Sequence, residues 1–239
     1  MVLLANVLLL TLSPTSRAHT RTRQTETYTK ANTPYLTMQT PKQQRDLTVV
    51  VAGGGIGGLC TALVLTNQGY DVRVYEKATK YRPFGGPIQI ASNAAESLRR
   101  IDADVYHKIL QRSTIIGDRV NGLKDGISNE WFATFDLKSP ADRRDQVSSV
   151  VIDRPVLQEI LLEKVGHCVT TGVEVTGFER RGERVAAKLA TGESVEADLL
   201  VGSDGIRSRL RDVLDPRGSV PPTASGYTCF ARIAAGRPA

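Results

Sequence analysis

Gly53-Gly54-Gly55-Ile56-Gly57-Gly58 satisfies the pattern G-x-G-x-x-G, and an acid, Glu76, follows 18 residues after Gly58. In this pattern the first glycine permits a tight turn. The second lets the backbone approach a pyrophosphate, and the third lets helix and strand pack closely. A helix opening at such a turn offers unpaired N–H groups and the positive end of its dipole to phosphate oxygens. An acid at the end of the following strand is placed to accept hydrogen bonds from ribose hydroxyls. Gly53, Gly55, Gly58 and Glu76 are therefore candidate binding residues for a dinucleotide. The fingerprint alone does not separate FAD from NAD.

These residues need a strand, a turn and a helix, and the flanking sequence supplies them. Leu47 to Ala52 is a continuous apolar, β-branched run, as in a parallel strand buried on both faces. Leu59, Ala62, Leu63 and Leu65 suit a buried helix that ends at Gly69. Val72 and Val74 belong to a second strand closed by Glu76. An evenly stepped β-α-β-α-β dehydrogenase pattern does not follow. Residues 81–90 read as a Gly/Pro-punctuated loop, 92–101 and 102–112 as two short helices, and 119–136 as a hairpin turning at Asp125-Gly126. Val147 to Ile152 returns as a strand. Residues 154–165 form a helix with Leu157, Ile160, Leu161 and Val165 on one face. Stretches 173–180, 183–190 and 194–197 read as an antiparallel meander, with turns at Arg181-Gly182 and Thr191-Gly192. A last strand, Leu199 to Val201, leads into Gly202-Ser203-Asp204-Gly205 and a helix from about Ile206 to Leu214. The fold class is α/β: a Rossmann-like dinucleotide-binding domain with an inserted β-meander.

That late segment, Asp204-Gly205-Ile206-Arg207-Ser208-Arg209-Leu210-Arg211, resembles the D-G-x-x-S-x-x-R element of class A flavoprotein monooxygenases. Two further blocks make the resemblance narrower. Tyr81-Arg-Pro-Phe-Gly-Gly86-Pro87-Ile88-Gln89-Ile-Ala-Ser92-Asn93-Ala94 and Gly117-Asp118-Arg119-Val-Asn121-Gly122-Leu-Lys-Asp125-Gly126-Ile127-Ser128 look very like zeaxanthin epoxidases, as does Ser225-Gly226-Tyr227-Thr228-Cys229. The resemblance covers about residues 47–232. It departs at Arg207, where those enzymes commonly carry an aromatic, and the chain stops short of their second Gly-Asp segment and further domains.

The resemblance implies a Rossmann-like FAD-binding domain of the glutathione-reductase type followed by the beginning of a β-rich substrate domain, with FAD as cofactor, NAD(P)H as the electron donor, and O₂ providing the oxygen placed on a carbon–carbon double bond. By it, Glu76 and Lys77 hold the adenosine side of FAD, Arg154 reaches the cofactor, and Asp204 and Gly205 lie near the pyrophosphate. Gly86 to Gln89 run beside the flavin ring, with Gln89 hydrogen-bonding near its reactive edge as the one catalytic candidate. The implied substrate is a small apolar molecule, a carotenoid. A carotenoid substrate implies access to a thylakoid surface through peripheral contact. Trp131, Phe132 and Phe135 are candidates for an apolar substrate face or for core. Two alternatives stay open: a flavin monooxygenase hydroxylating another apolar or aromatic substrate, and a non-catalytic flavin-binding fragment.

Composition bounds the remaining classes. With 41% hydrophobic and 23% charged residues over 239 positions, the chain is an ordinary globular protein. Of its 31 basic and 25 acidic residues, six basic and one acidic fall in residues 1–45, leaving 25 and 24. The net charge of +6 therefore belongs mainly to the beginning of the chain, and nucleic-acid binding is not expected. Cys60, Cys168 and Cys229 are far apart, and His19, His107 and His167 are scattered, so neither a disulfide framework nor a metal site is expected. Residues 1–45 read as a targeting leader: an apolar run too short to span a bilayer, then an acid-poor, Thr/Gln/Arg/Lys-rich stretch. That order resembles the bipartite leaders of plastids acquired by secondary endosymbiosis; the alternatives are the secretory pathway or a misplaced start codon. The expected organisation is leader 1–45, FAD-binding domain 46–215 with a hairpin excursion near 115–137, and the incomplete start of a substrate domain over 216–239.

Overall fold

The computed structural model describes residues 8–9, 47–83, 85–117, 119–215 and 223–226. The leader expected over 1–45 thus lies outside the described residues apart from Leu8–Leu9, and so does most of the segment expected to begin a substrate domain.

Strand β1 is Leu8–Leu9. The fingerprint strand is β2, Thr48–Ala52, followed by helix α1, Ile56–Asn67, and strand β3, Asp71–Glu76. Then come β4 (Pro87–Ile90), α2 (Ser92–Ile101), α3 (Ala103–Gln111), β5 (Thr114–Ile115), β6 (Asn121–Lys124), β7 (Trp131–Phe135) and the short α4 (Ser139–Asp142). Strand β8 (Val150–Asp153) runs directly into α5 (Arg154–Val165), and a 3₁₀ turn leads to β9 (Val169–Thr171). The meander is β10 (Val175–Arg181), β11 (Arg184–Leu189) and β12 (Ser194–Ala197), and β13 (Leu199–Gly202) precedes α6 (Arg209–Leu214).

The main sheet has the order β1-β13-β2-β3-β9. Strands β13, β2, β3 and β9 are parallel, and β1 lies antiparallel on the β13 edge. β2 is central and covered on both faces. Val49 and Val51 join the core formed with Leu59 and Leu63 of α1 and Leu157, Ile160, Leu161 and Val165 of α5. Val50 and Ala52 face the other way, onto Val175, Ala187, Leu189 and Ala197 of the meander and Leu210 of α6. This double cover is why the strand reads as an unbroken apolar run rather than an alternating one. The four residues expected on the inner face of α5 are all buried.

Four features differ from the sequence expectation. Residues 87–90 are not loop but strand β4, and it pairs antiparallel with β8, on whose other edge lies β5. The strand expected to return over 147–152 therefore belongs to this separate small sheet rather than to the parallel one, although Ile90, Val150 and Ile152 share the α1–α5 core. Strand β9, unforeseen, extends the parallel sheet beside β3. The hairpin forms, but residues 125–130 make its loop, and the left-handed residue is Asn129 (φ 64°), not Gly126. The Asp125 carboxylate instead accepts from the amides of Ile127 (2.7 Å) and Ser128 (2.6 Å), which holds it below the usual carboxylate range. Helix α6 begins only at Arg209, because Gly205 turns the chain at φ 88° and Ser208 is the cap, accepting from Arg211 N at 3.0 Å.

Candidate functional site

The carboxyl ends of β2, β3 and β13 meet at one edge of the sheet, where ligands of open α/β sheets bind. A cleft of about 200 Å³ opens there, lined by Gly53, Gly55, Glu76, Lys77, Asp204 and Gly205 among others. Six of the residues singled out from sequence are thus brought together although they lie on three separated segments.

Each fingerprint glycine is required for a distinct reason. Gly53 has φ 100°, a backbone region side chains rarely adopt, and a Cβ there would strike the Ser203 carbonyl. Gly58 packs so tightly that a Cβ would collide with the Gly53 carbonyl and come within 2.7 Å of Ser203 Oγ. Its role is to close the turn on itself and against the β13 end, more than to bring helix onto strand. At Gly55 a Cβ would meet nothing within 4 Å. Its freedom serves no packing need of the chain itself; it leaves open space at the start of α1. That helix has no side-chain cap bond and no acid in its first turn, so its N–H groups and dipole end remain available to an anion.

Glu76 fastens the corner. Its Oε2 accepts from the Gly54 amide at 2.7 Å and its Oε1 from the Ala78 amide at 2.8 Å. The turn is further fixed by Gly53 N donating to the Tyr75 carbonyl at 2.8 Å. A carboxylate has about four acceptor positions, so two remain, enough for a ribose hydroxyl and one more donor.

Ser203 was not singled out by the sequence reading, yet it joins the two phosphate-side segments. Its amide donates to the Ala52 carbonyl (2.8 Å), and its hydroxyl lies 2.8 Å from both the Ala52 and Gly53 carbonyls. The available signal was a small hydroxyl residue between a strand end and an Asp-Gly pair. Asp204 lines the cleft and caps the approach to α6, its Oδ2 accepting from Leu210 N at 3.2 Å. Arg211 does not face the cleft; it donates to the Ile206 carbonyl at 2.7 Å and closes that loop. The rim also carries Glu174, Arg207 and Arg209, the last 3.6 Å from Glu174. Lys77, Arg207 and Arg209 therefore face Glu76, Glu174 and Asp204. With the charges balanced, backbone amides and the α1 dipole are left as the main attraction for a pyrophosphate.

Gly86, Gln89 and Arg154 are grouped elsewhere. They do not line the cleft. Pro87 pairs with Asp153 and Gln89 with Val151, and the stem of Arg154 lies 3.6 Å from where a Gly85 Cβ would stand. The Gly-Pro loop and the start of α5 thus form one exposed patch on the small sheet. Phe84 and Asp118 of the two family-like blocks lie outside the described residues. Trp131, Phe132 and Phe135 are exposed on the hairpin rather than core. Among the described residues no cluster of His, Cys, Asp and Glu could hold a metal, and no helix is long and apolar enough to cross a membrane.

The residues present fit FAD's adenosine and pyrophosphate end: an open space at Gly55, an uncapped helix start, and a carboxylate with unused acceptors. The family model described as FAD binding domain matches residues 46–224. Chloroplastic zeaxanthin epoxidases of Spinacia oleracea and Solanum lycopersicum are 44% and 45% identical over 199 residues, 80% of this chain and 29% of theirs. The chain spans less than a third of the length of these relatives. Among solved structures, the tetrameric 2-methyl-3-hydroxypyridine-5-carboxylic acid oxygenase superposes with a TM-score of 0.59 at 26% identity, over 71% of this chain and 42% of that one. Klebsiella pneumoniae HpxO complexed with FAD and uric acid gives 0.61 at 28% identity, over 70% and 41%.

Proposed function

The chain belongs to the FAD binding domain family, and from that premise we propose that it is the cofactor-holding front portion of a flavin-dependent monooxygenase that epoxidises a carotenoid, zeaxanthin, with O₂ and NAD(P)H. The observation that carries this reading is the identity of about 44% to zeaxanthin epoxidases over 80% of a chain whose fingerprint geometry is intact. Bound FAD supplies the redox and oxygen-activating chemistry, and the protein supplies binding, orientation and shelter from water. Glu76 and Lys77 take the adenosine side. The open backbone at Gly55 and the α1 start take the pyrophosphate, with Asp204 and Gly205 closing its far side. Gly86 to Gln89 would serve the flavin ring, with Gln89 the hydrogen-bonding candidate, and Arg154 would reach the cofactor. The relatives' chloroplastic names support a plastid location, and a carotenoid substrate implies peripheral contact with a membrane that holds it.

A second reading, oxidation of a small heteroaromatic ring, is supported by the named ligand and substrate of the two structural neighbours at 26% and 28% identity. The discriminating experiment supplies the FAD-loaded protein with zeaxanthin, NADPH and O₂ and separates the pigments by chromatography. Antheraxanthin and violaxanthin are expected. Bound FAD with NADPH consumed on a hydroxylated aromatic, and no epoxide from zeaxanthin, would carry the second reading instead.

A further inference from the structure

Tyr81 stands five residues past Glu76, and its hydroxyl oxygen is buried without a hydrogen-bond partner. The oxygen lies against Gly54: a Cβ on Gly54 would collide with it and come within 3.0 Å of Glu76 Cβ and 3.4 Å of Glu76 Cγ. Gly54 is also the residue whose amide holds Glu76 Oε2. The phenol therefore packs beside the stem of the carboxylate, while Glu76 lines the cleft and Tyr81 does not. Burial, followed by the negative charge of Glu76, pushes the phenol up to about 12, so the hydroxyl keeps its proton and stays a donor.

A buried donor with no acceptor is a standing cost to the folded chain. Here it sits beside a group rich in acceptors. Both oxygens of Glu76 are engaged by backbone amides, and of the two remaining positions one suits a ribose hydroxyl and one a further protein donor. We propose that Tyr81 is a positioning residue for the cofactor-binding carboxylate, its hydroxyl becoming a third protein donor to Glu76 in the FAD-loaded protein. The proposal rests on the assignment of this cleft to FAD. It makes the loop that begins at Tyr81 respond to occupancy of the adenosine end.

The test is Tyr81→Phe, which removes the oxygen and keeps the ring. FAD affinity is measured by quenching of flavin fluorescence, and the melting temperature is measured without FAD, on the full chain. The hydroxyl is idle without ligand and engaged with it. The variant should therefore melt at or above the wild-type temperature when empty, yet bind FAD roughly tenfold or more weakly. A merely structural hydroxyl would lower the empty protein's melting temperature, and that result overturns the proposal. Equal FAD affinity in variant and wild type overturns it as well and leaves the cofactor assignment standing. Wild-type protein that binds no FAD defeats the assignment itself, and the proposal with it.

Discussion

At the scale of single residues, the glycines divide by what surrounds them. Gly58 is enclosed by the Gly53 carbonyl and Ser203 Oγ, so any side chain must push backbone apart. Gly58→Ala should cost about 1–3 kcal/mol or more of folding stability, as overpacking typically does, measured by urea denaturation. The spacing of the glycines and of Glu76 was readable because a pyrophosphate-binding turn admits few sequences. Ser203 and Tyr81 were not readable as site residues, since their roles arise from contacts with Ala52, Gly53 and Gly54, distant or indirect in sequence. Cys60 packs against the α1–α5 core, and burial there pushes its thiol from 9.0 up to about 11. The sign follows from linkage: the folded state favours the neutral thiol. The contribution is intact below pH 9, where the unfolded thiol keeps its proton, and is lost as pH rises through about 11. Denaturation curves from pH 8 to 11 should therefore fall more steeply for wild type than for Cys60→Ala.

At the scale of elements, legibility followed length and periodicity. Helix α5 was placed residue by residue because Leu157, Ile160, Leu161 and Val165 recur at helical spacing over more than two turns. Strands β4 and β9, of four and three residues, are too short to show a period, and the glycines and proline before β4 looked like loop. Strand β8 was found but its sheet was not readable, because an apolar run does not reveal which strand lies beside it. Leu161 is fully buried in the α1–α5 core, so Leu161→Ala should destabilise by about 2–5 kcal/mol. Phe132, 72% exposed on β7, is as apolar yet packs little, and Phe132→Ser should stay within about 0.5 kcal/mol. The contrast in denaturant midpoints checks the hairpin's separateness from the core. A large loss at Phe132 would mean the hairpin packs against the body of the protein.

At the scale of the whole molecule, the chain places two kinds of cover on one parallel sheet: helices α1 and α5 on one face, the meander and α6 on the other. The strand ends left between them make the cleft. Excess positive charge lies outside this unit, in residues 1–45, and the cleft itself is balanced. Recognition of a dinucleotide therefore depends on backbone geometry, which is what a single substitution at Gly55 interrupts. Because nothing lies within 4 Å of a Cβ there, a larger side chain should occupy ligand space without disturbing the fold. The most direct measurement is the visible absorbance of purified wild-type and Gly55→Val protein after saturation with FAD and gel filtration, alongside their melting temperatures. Flavin retained by the wild type and lost by Gly55→Val at an unchanged melting temperature is the expected result. A folded wild-type protein that emerges colourless, or a Gly55→Val protein that retains as much flavin, would contradict the assignment of this cleft to FAD.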